Sequence, residues 1–118
     1  MTKKDELLKK KCVPCEGGVP RLTREEVVVF LKALDGWELS ADAGSIGRRF
    51  LMRDFSAAIE LIQAIAKAAE AEDHHPDIHL TGYRKLHIEL STHAIGGLSE
   101  NDFILAAKID ALPKKLKN

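Results

Sequence analysis

Ile78-His79-Leu80-Thr81-Gly82-Tyr83-Arg84-Lys85-Leu86-His87-Ile88-Glu89-Leu90-Ser91 is the stretch that decides the fold. Ile78 and Leu80 alternate with His79 and Thr81; beyond Gly82-Tyr83-Arg84, the apolar Leu86, Ile88 and Leu90 alternate with Lys85, His87, Glu89 and Ser91. A period of two sends successive side chains to opposite faces of a strand. Two antiparallel strands, each apolar on one face only, fit a sheet covered by helices on one side and wet on the other. His79 and His87, one per strand on the polar face, read as surface residues.

Upstream of this hairpin, residues 55–72 carry the strongest helix pattern of the chain. Phe55, Ile59, Ile62 and Ala66 fall on one side, with Ala58, Ile65 and Ala69 beside them. Earlier still, Ile46 to Met52 reads as a strand with Ile46, Phe50 and Met52 on one face, paired through an Asp42-Ala43-Gly44 turn with a short strand at Trp37-Glu38-Leu39. Thr23-Arg24-Glu25-Glu26 is a capping box, followed by Val27, Phe30, Leu31 and Leu34 at helical spacing. Downstream, Leu98-Ser99-Glu100-Asn101-Asp102-Phe103 starts a last helix, with Ser99 as cap and Asp102 at its third position, and Pro113 ends it. The order α, β, β, α, β, β, α specifies a two-layer α+β domain: a four-stranded antiparallel sheet with three helices on one face.

With 118 residues the chain is one domain with one core. Eighteen basic and eighteen acidic side chains cancel, which argues against a strong grip on nucleic acid or anionic lipid. No apolar run is long enough to cross a membrane, and none follows the N-terminal lysines as a secretory signal requires, so a cytoplasmic protein is expected. Residues 1–20 read as a basic leader, 21–113 as the domain and 114–118 as a basic tail. Cys12-Val13-Pro14-Cys15 in the leader is a C-x-x-C. Neither the βαβ context of a redox pair nor two further zinc ligands at finger spacing accompany it, so it reads as structural or incidental.

Three histidines stand at element boundaries: His74-His75, stopped by Pro76 at the end of the long helix, and His93, after Ser91-Thr92 at the end of the last strand. Glu70, Glu72 and Asp73 fill the helix's last turn, where the dipole disfavours them. Such carboxylates beside imidazoles favour the protonated ring. One use of His74, His75, His93 and a carboxylate is a metal site, although Pro76 rules out a helical face shared by His75 and His79. Another is proton transfer. The plain alternatives are helix-end capping for His74 and His75, a helix-start role for Asp102, and core packing for Tyr83 and Trp37.

The string Glu70-x-x-x-His74-His75-Pro76, then Tyr83, His93 and Asp102 at fixed spacing, resembles the signature of the pterin-4a-carbinolamine dehydratases. Gly36-Trp37, Ser91-Thr92-His93, Gly96-Gly97-Leu98-Ser99 and Leu105-Ala106 agree with it, and the likeness runs from about Leu22 to Leu112. The resemblance implies dehydration of a 4a-hydroxytetrahydropterin to the quinonoid dihydropterin, in recycling the cofactor of aromatic amino-acid hydroxylases, with no metal and no redox cofactor. It gives proton transfer to His74 and His75 and sets His93 across the pocket against the pterin. Glu70, Ser91, Thr92 and Asp102 are implied to hold the substrate or the histidines, with Pro76, Tyr83 and Trp37 shaping the site. It further implies a homodimer or homotetramer. Its alternative is a non-catalytic interaction module, because animal members also bind a homeodomain transcription factor.

Overall fold

The hairpin read from residues 78–90 supplies one inner strand and one edge strand of the sheet. A computed structural model describes residues 3–12 and 20–117, the side chains of residues 3–5 and of His93 excepted; Cys15, and with it the C-x-x-C reading, lies outside the described residues. Strands β1 (Glu38–Leu39), β2 (Ile46–Leu51), β3 (Asp77–Thr81) and β4 (Lys85–Leu90) form one antiparallel sheet in the order β1-β2-β4-β3. In-register pairing sets Ile46 opposite Leu90 and Phe50 opposite Leu86 across β2 and β4, and Ile78 opposite Ile88 across β3 and β4. Ile46, Phe50, Leu86, Ile88 and Leu90 are buried, while Arg49, His79, Thr81 and Lys85, on the alternate positions, are exposed. The two-residue alternation is therefore the division between core and solvent.

Among the described residues, four α-helices, α1 (Lys3–Lys9), α2 (Arg24–Lys32), α3 (Phe55–Glu72) and α4 (Glu100–Ala111), accompany the sheet. Helix α2 opens on the expected capping box: Glu26 N–H donates to Thr23 Oγ1 at 3.2 Å and Thr23 N–H to Glu26 Oε1 at 2.9 Å. Asp54 caps α3, accepting from Ala57 N–H at 2.8 Å. The face that α3 buries differs from the stripe expected. Ala57, Ala58, Leu61, Ile65 and Ala69 turn inward, Ile59 and Ile62 are half-buried, and Phe55 is 53% exposed. Both stripes satisfy a 3.6-residue period, and the alanine-rich one lets the helix axis approach its neighbours more closely.

Helix α4 is buried nearly all round, from Asn101 to Ala107 and again at Ile109. The reason is α1, which packs on α4 and puts Leu7 into the common core. Leu7 and Leu8 give too short an apolar pair for the sequence to have flagged this helix as packed. On another side, Phe103 stacks on Phe30 of α2, with ring centroids 5.1 Å apart. Beyond α4 the residues read as a tail run back along β2: Arg53 N–H donates to Lys115 C=O at 2.9 Å and Lys117 N–H to Leu51 C=O at 3.0 Å. Lys114 meanwhile donates to the last carbonyls of the helix, Asp110 at 2.9 Å among them. No helix among the described residues is long and apolar enough to cross a membrane.

Candidate active site

The site begins where α3 stops. Asp73 adopts a left-handed conformation, φ 51°, which turns the chain back on the helix. His74 N–H then reaches Ala69 C=O at 3.1 Å and Asp73 N–H reaches Glu70 C=O at 3.3 Å, the paired bonds of a Schellman termination. This geometry makes His74 the residue folded in against the body of the protein and leaves His75 outside. Pro76 then forbids any further turn of helix and feeds the chain into β3.

The start of α4 meets His74 from the other side. Asp102 lies in the first turn of α4, and its carboxylate accepts Ser99 N–H at 3.0 Å, the reciprocal half of a capping box. Its other oxygen stands 2.7 Å from His74 Nε2. Thr92, just past the end of β4, donates its hydroxyl to Asp102 Oδ2 at 2.9 Å, and the Ser99 and Thr92 hydroxyls are 2.8 Å apart. All four are buried: relative exposure is 6% for His74, 2% for Thr92 and 0% for Ser99 and Asp102. The loop between Thr92 and Ser99 is closed by Thr92 N–H donating to Gly97 C=O at 2.9 Å. A Cβ at position 97 would come within 2.6 Å of Arg21 Nε, the far end of an exposed side chain that has only to swing aside. An open cavity of about 350 Å³ lies beside this cluster, lined by Ser91, Thr92, Gly96, Gly97, Asp77 and Glu89 among others.

Around this centre the remaining residues fall at graded distances. His75 is exposed and pairs with Glu70, Nε2 to Oε1 3.4 Å. His93 opens a short 3-10 turn directly after Thr92; its side chain is not among those described. Trp37 is elsewhere. Its indole N–H donates to both carboxylate oxygens of Asp110 at 3.1 and 3.0 Å, with Arg48 Nη1 on the same carboxylate at 2.6 Å. Asp110 is two turns along α4 from Asp102, about 12 Å. Tyr83 sits at the tip of the β3–β4 hairpin, 58% exposed and against the Arg84 guanidinium. The length of β3, about 17 Å, separates it from Pro76. Within one chain, then, His74, Thr92 and Asp102 come together with Ser91 close by, and Trp37 and Tyr83 do not join them. Ser99 escaped notice as a site residue because its place at the helix start already explained it; the hydroxyl seven residues upstream at Thr92 is the signal that was there to use.

One further carboxylate near the helix end is accounted for. Glu72, buried in the last turn of α3, accepts from Lys108 Nζ at 2.7 Å and from Cys12 N–H at 2.8 Å. Burial pushes its pKa up, but the Lys108 and Cys12 hydrogen bonds and the Lys108 charge outweigh that and hold it below the usual range. Among the described residues no three histidine, cysteine, aspartate or glutamate side chains are grouped to hold a metal ion.

Residues 20–112 match the family model described as pterin 4 alpha carbinolamine dehydratase. The chain is 49% identical over 106 residues to a candidate pterin-4-alpha-carbinolamine dehydratase of Halorhodospira halophila, covering 90% of this chain and 96% of that one. It is 46% identical over 108 residues to a candidate of the same name from Nitrosospira multiformis, covering 92% and 93%. Among solved structures, a transcriptional coactivator/pterin dehydratase from Brucella melitensis superimposes with a TM-score of 0.74 at 37% identity, over 78% of this chain and 97% of the other.

Proposed function

Since this chain belongs to the pterin 4 alpha carbinolamine dehydratase family, we propose that it dehydrates a 4a-hydroxytetrahydropterin by histidine acid–base catalysis, within the recycling of a tetrahydrobiopterin-type cofactor. The carbon–oxygen bond at the bridgehead breaks as the hydroxyl takes a proton and leaves as water. The adjoining ring nitrogen loses its proton and its electron pair forms the new carbon–nitrogen double bond, so one proton given and one taken balance. Hydroxide is a poor leaving group, and each positioned proton transfer is typically worth about 10²- to 10⁴-fold in rate. Imidazole can do either task near neutral pH.

The observation that carries this reading is the buried His74–Asp102 pair, 2.7 Å apart, beside a cavity lined by Ser91 and Thr92. A carboxylate against one ring nitrogen steadies the imidazolium that forms when the ring takes a proton. In this scheme His74 handles one proton and His75, solvent-facing and paired with Glu70, supplies or removes the other, with His93 across the cavity against the pterin. The chemistry asks for proton donors and acceptors and no metal or redox cofactor. Its test is the dehydration itself. Purified protein is mixed with freshly generated 4a-hydroxytetrahydropterin, and the appearance of quinonoid dihydropterin no faster than the spontaneous rate would sink the proposal.

A second reading, a protein-binding module, is favoured by one feature: the outward side of α3 carries Phe55, Ile59, Ile62 and Ala66, with Phe55 more than half exposed. The Brucella melitensis relative is named a transcriptional coactivator as well as a pterin dehydratase. A folded protein inert in the dehydration assay would favour this reading over the first.

A further inference from the structure

Asp102 has more donors around it than a helix start needs. Its Oδ2 accepts Ser99 N–H at 3.0 Å and Thr92 O–H at 2.9 Å, which fills that oxygen. Thr92 has one hydroxyl proton, and it is committed to Asp102, so the 2.8 Å contact between the two hydroxyls has Ser99 donating and Thr92 accepting. Oδ1 is left facing His74 Nε2 at 2.7 Å with a single proton between them. Imidazole is a stronger base than carboxylate, and that proton sits on the nitrogen. The order of donation is thus fixed from one end to the other: Ser99 to Thr92, Thr92 to Asp102, His74 to Asp102.

Resting on the dehydratase reading, we propose that Thr92 and Ser99 are positioning residues, which through Asp102 lock His74 as the Nε2–H tautomer and hold its ring in the orientation that turnover requires. Thr92 is 2% exposed and Ser99 0%, and their hydroxyls are spent on each other and on Asp102, so neither hydroxyl is a substrate contact. The three residues come from two elements, the end of β4 and the start of α4, held to each other by the Thr92 N–H to Gly97 C=O bond. Without the Thr92 hydroxyl, Asp102 keeps only the Ser99 N–H on Oδ2 and can rotate its carboxylate, and the ring it faces loses its fixed orientation. Ordering an imidazole by the group behind it is the general way a tautomer is selected.

The test reads tautomer and turnover separately. In ¹⁵N-labelled protein, at a pH where the ring is neutral, long-range ¹H–¹⁵N spectra assigned by comparison with His74→Gln are expected to show His74 protonated at Nε2. In Thr92→Val the signal moves toward a tautomer mixture and kcat falls on the order of tenfold with KM unchanged, while Thr92→Ser restores both. Ser99→Ala, which retains the backbone donor, shifts both in the same direction by less. Wild-type His74 protonated at Nδ1 overturns the proposal. So does a Thr92→Val protein that loses stability yet keeps tautomer and kcat, since that is a purely structural role. Wild-type protein with the Nε2–H signature and no dehydration activity would overturn the functional reading and leave the tautomer lock standing.

Discussion

His74 and His75 are neighbours in sequence with opposite surroundings, and substitution separates them. His74→Ala removes a hydrogen-bond partner of the buried Asp102 and leaves its Oδ1 facing a void, which costs about 1–3 kcal/mol of stability. His74→Gln keeps a donor toward Asp102 and cannot shuttle a proton; we expect near-native melting with turnover reduced about 10²- to 10⁴-fold, measured by calorimetry and by the dehydration assay. His75→Ala, at an exposed position, should shift stability by less than about 0.5 kcal/mol. A second residue-scale test concerns Glu72. Its pKa is depressed in the fold, so its contribution is full above the ordinary glutamate value of 4.5 and is lost as pH falls through the lower folded value. Glu72→Gln is expected to cost about 1–3 kcal/mol near neutral pH, and the gap from wild type should close in denaturant titrations run below pH 4.5. The sequence showed Glu72 only as a charge misplaced at a helix end, because its partners Lys108 and Cys12 lie 36 and 60 residues away.

At the level of elements, legibility followed how many solutions each pattern allowed. The 78–90 alternation had one: slipping it by a residue would bury His79, His87 and Glu89 and expose Ile88. The long helix had two, since apolar residues run round most of α3, and choosing between Phe55-Ile59-Ile62 and Ala58-Leu61-Ile65 required knowing how close the helix had to approach. The capping box at Ser99 was legible, but its second use was not, because Thr92 reaches it only through the fold. The turn that aims His74 offers a direct check. Asp73 holds a left-handed conformation at a position where glycine is the usual residue. Asp73→Gly should therefore stabilise the protein by up to about 1 kcal/mol in thermal unfolding; destabilisation would mean that the Asp73 side chain itself supports the helix end.

For the molecule as a whole, the sheet ends in two unlike edges: β1 has two residues and β3 five. Unpaired strand edges attract partners, and two-fold closure is the commonest way to satisfy them. We propose a homodimer that continues the sheet across such an axis, with tetramers formed through the helices; light scattering reporting a monomer at micromolar concentration would refute it. Turnover should also survive exhaustive chelation, as read by the same assay before and after dialysis against chelator. The leader and the tail were the least legible parts: Leu7 makes sense only against α4, and the tail is held by backbone pairing of Leu116 with Met52, just past β2. The embrace of α4 by α1 has a consequence for synthesis on the ribosome. Lys10, just past α1, and its α4 partner Glu100 are 90 residues apart, so at about 5–20 residues per second α1 waits roughly 5–20 s for the surface it will cover. Through that interval Leu7 has no pocket, and the flanking lysines are what keep the α1 segment in water.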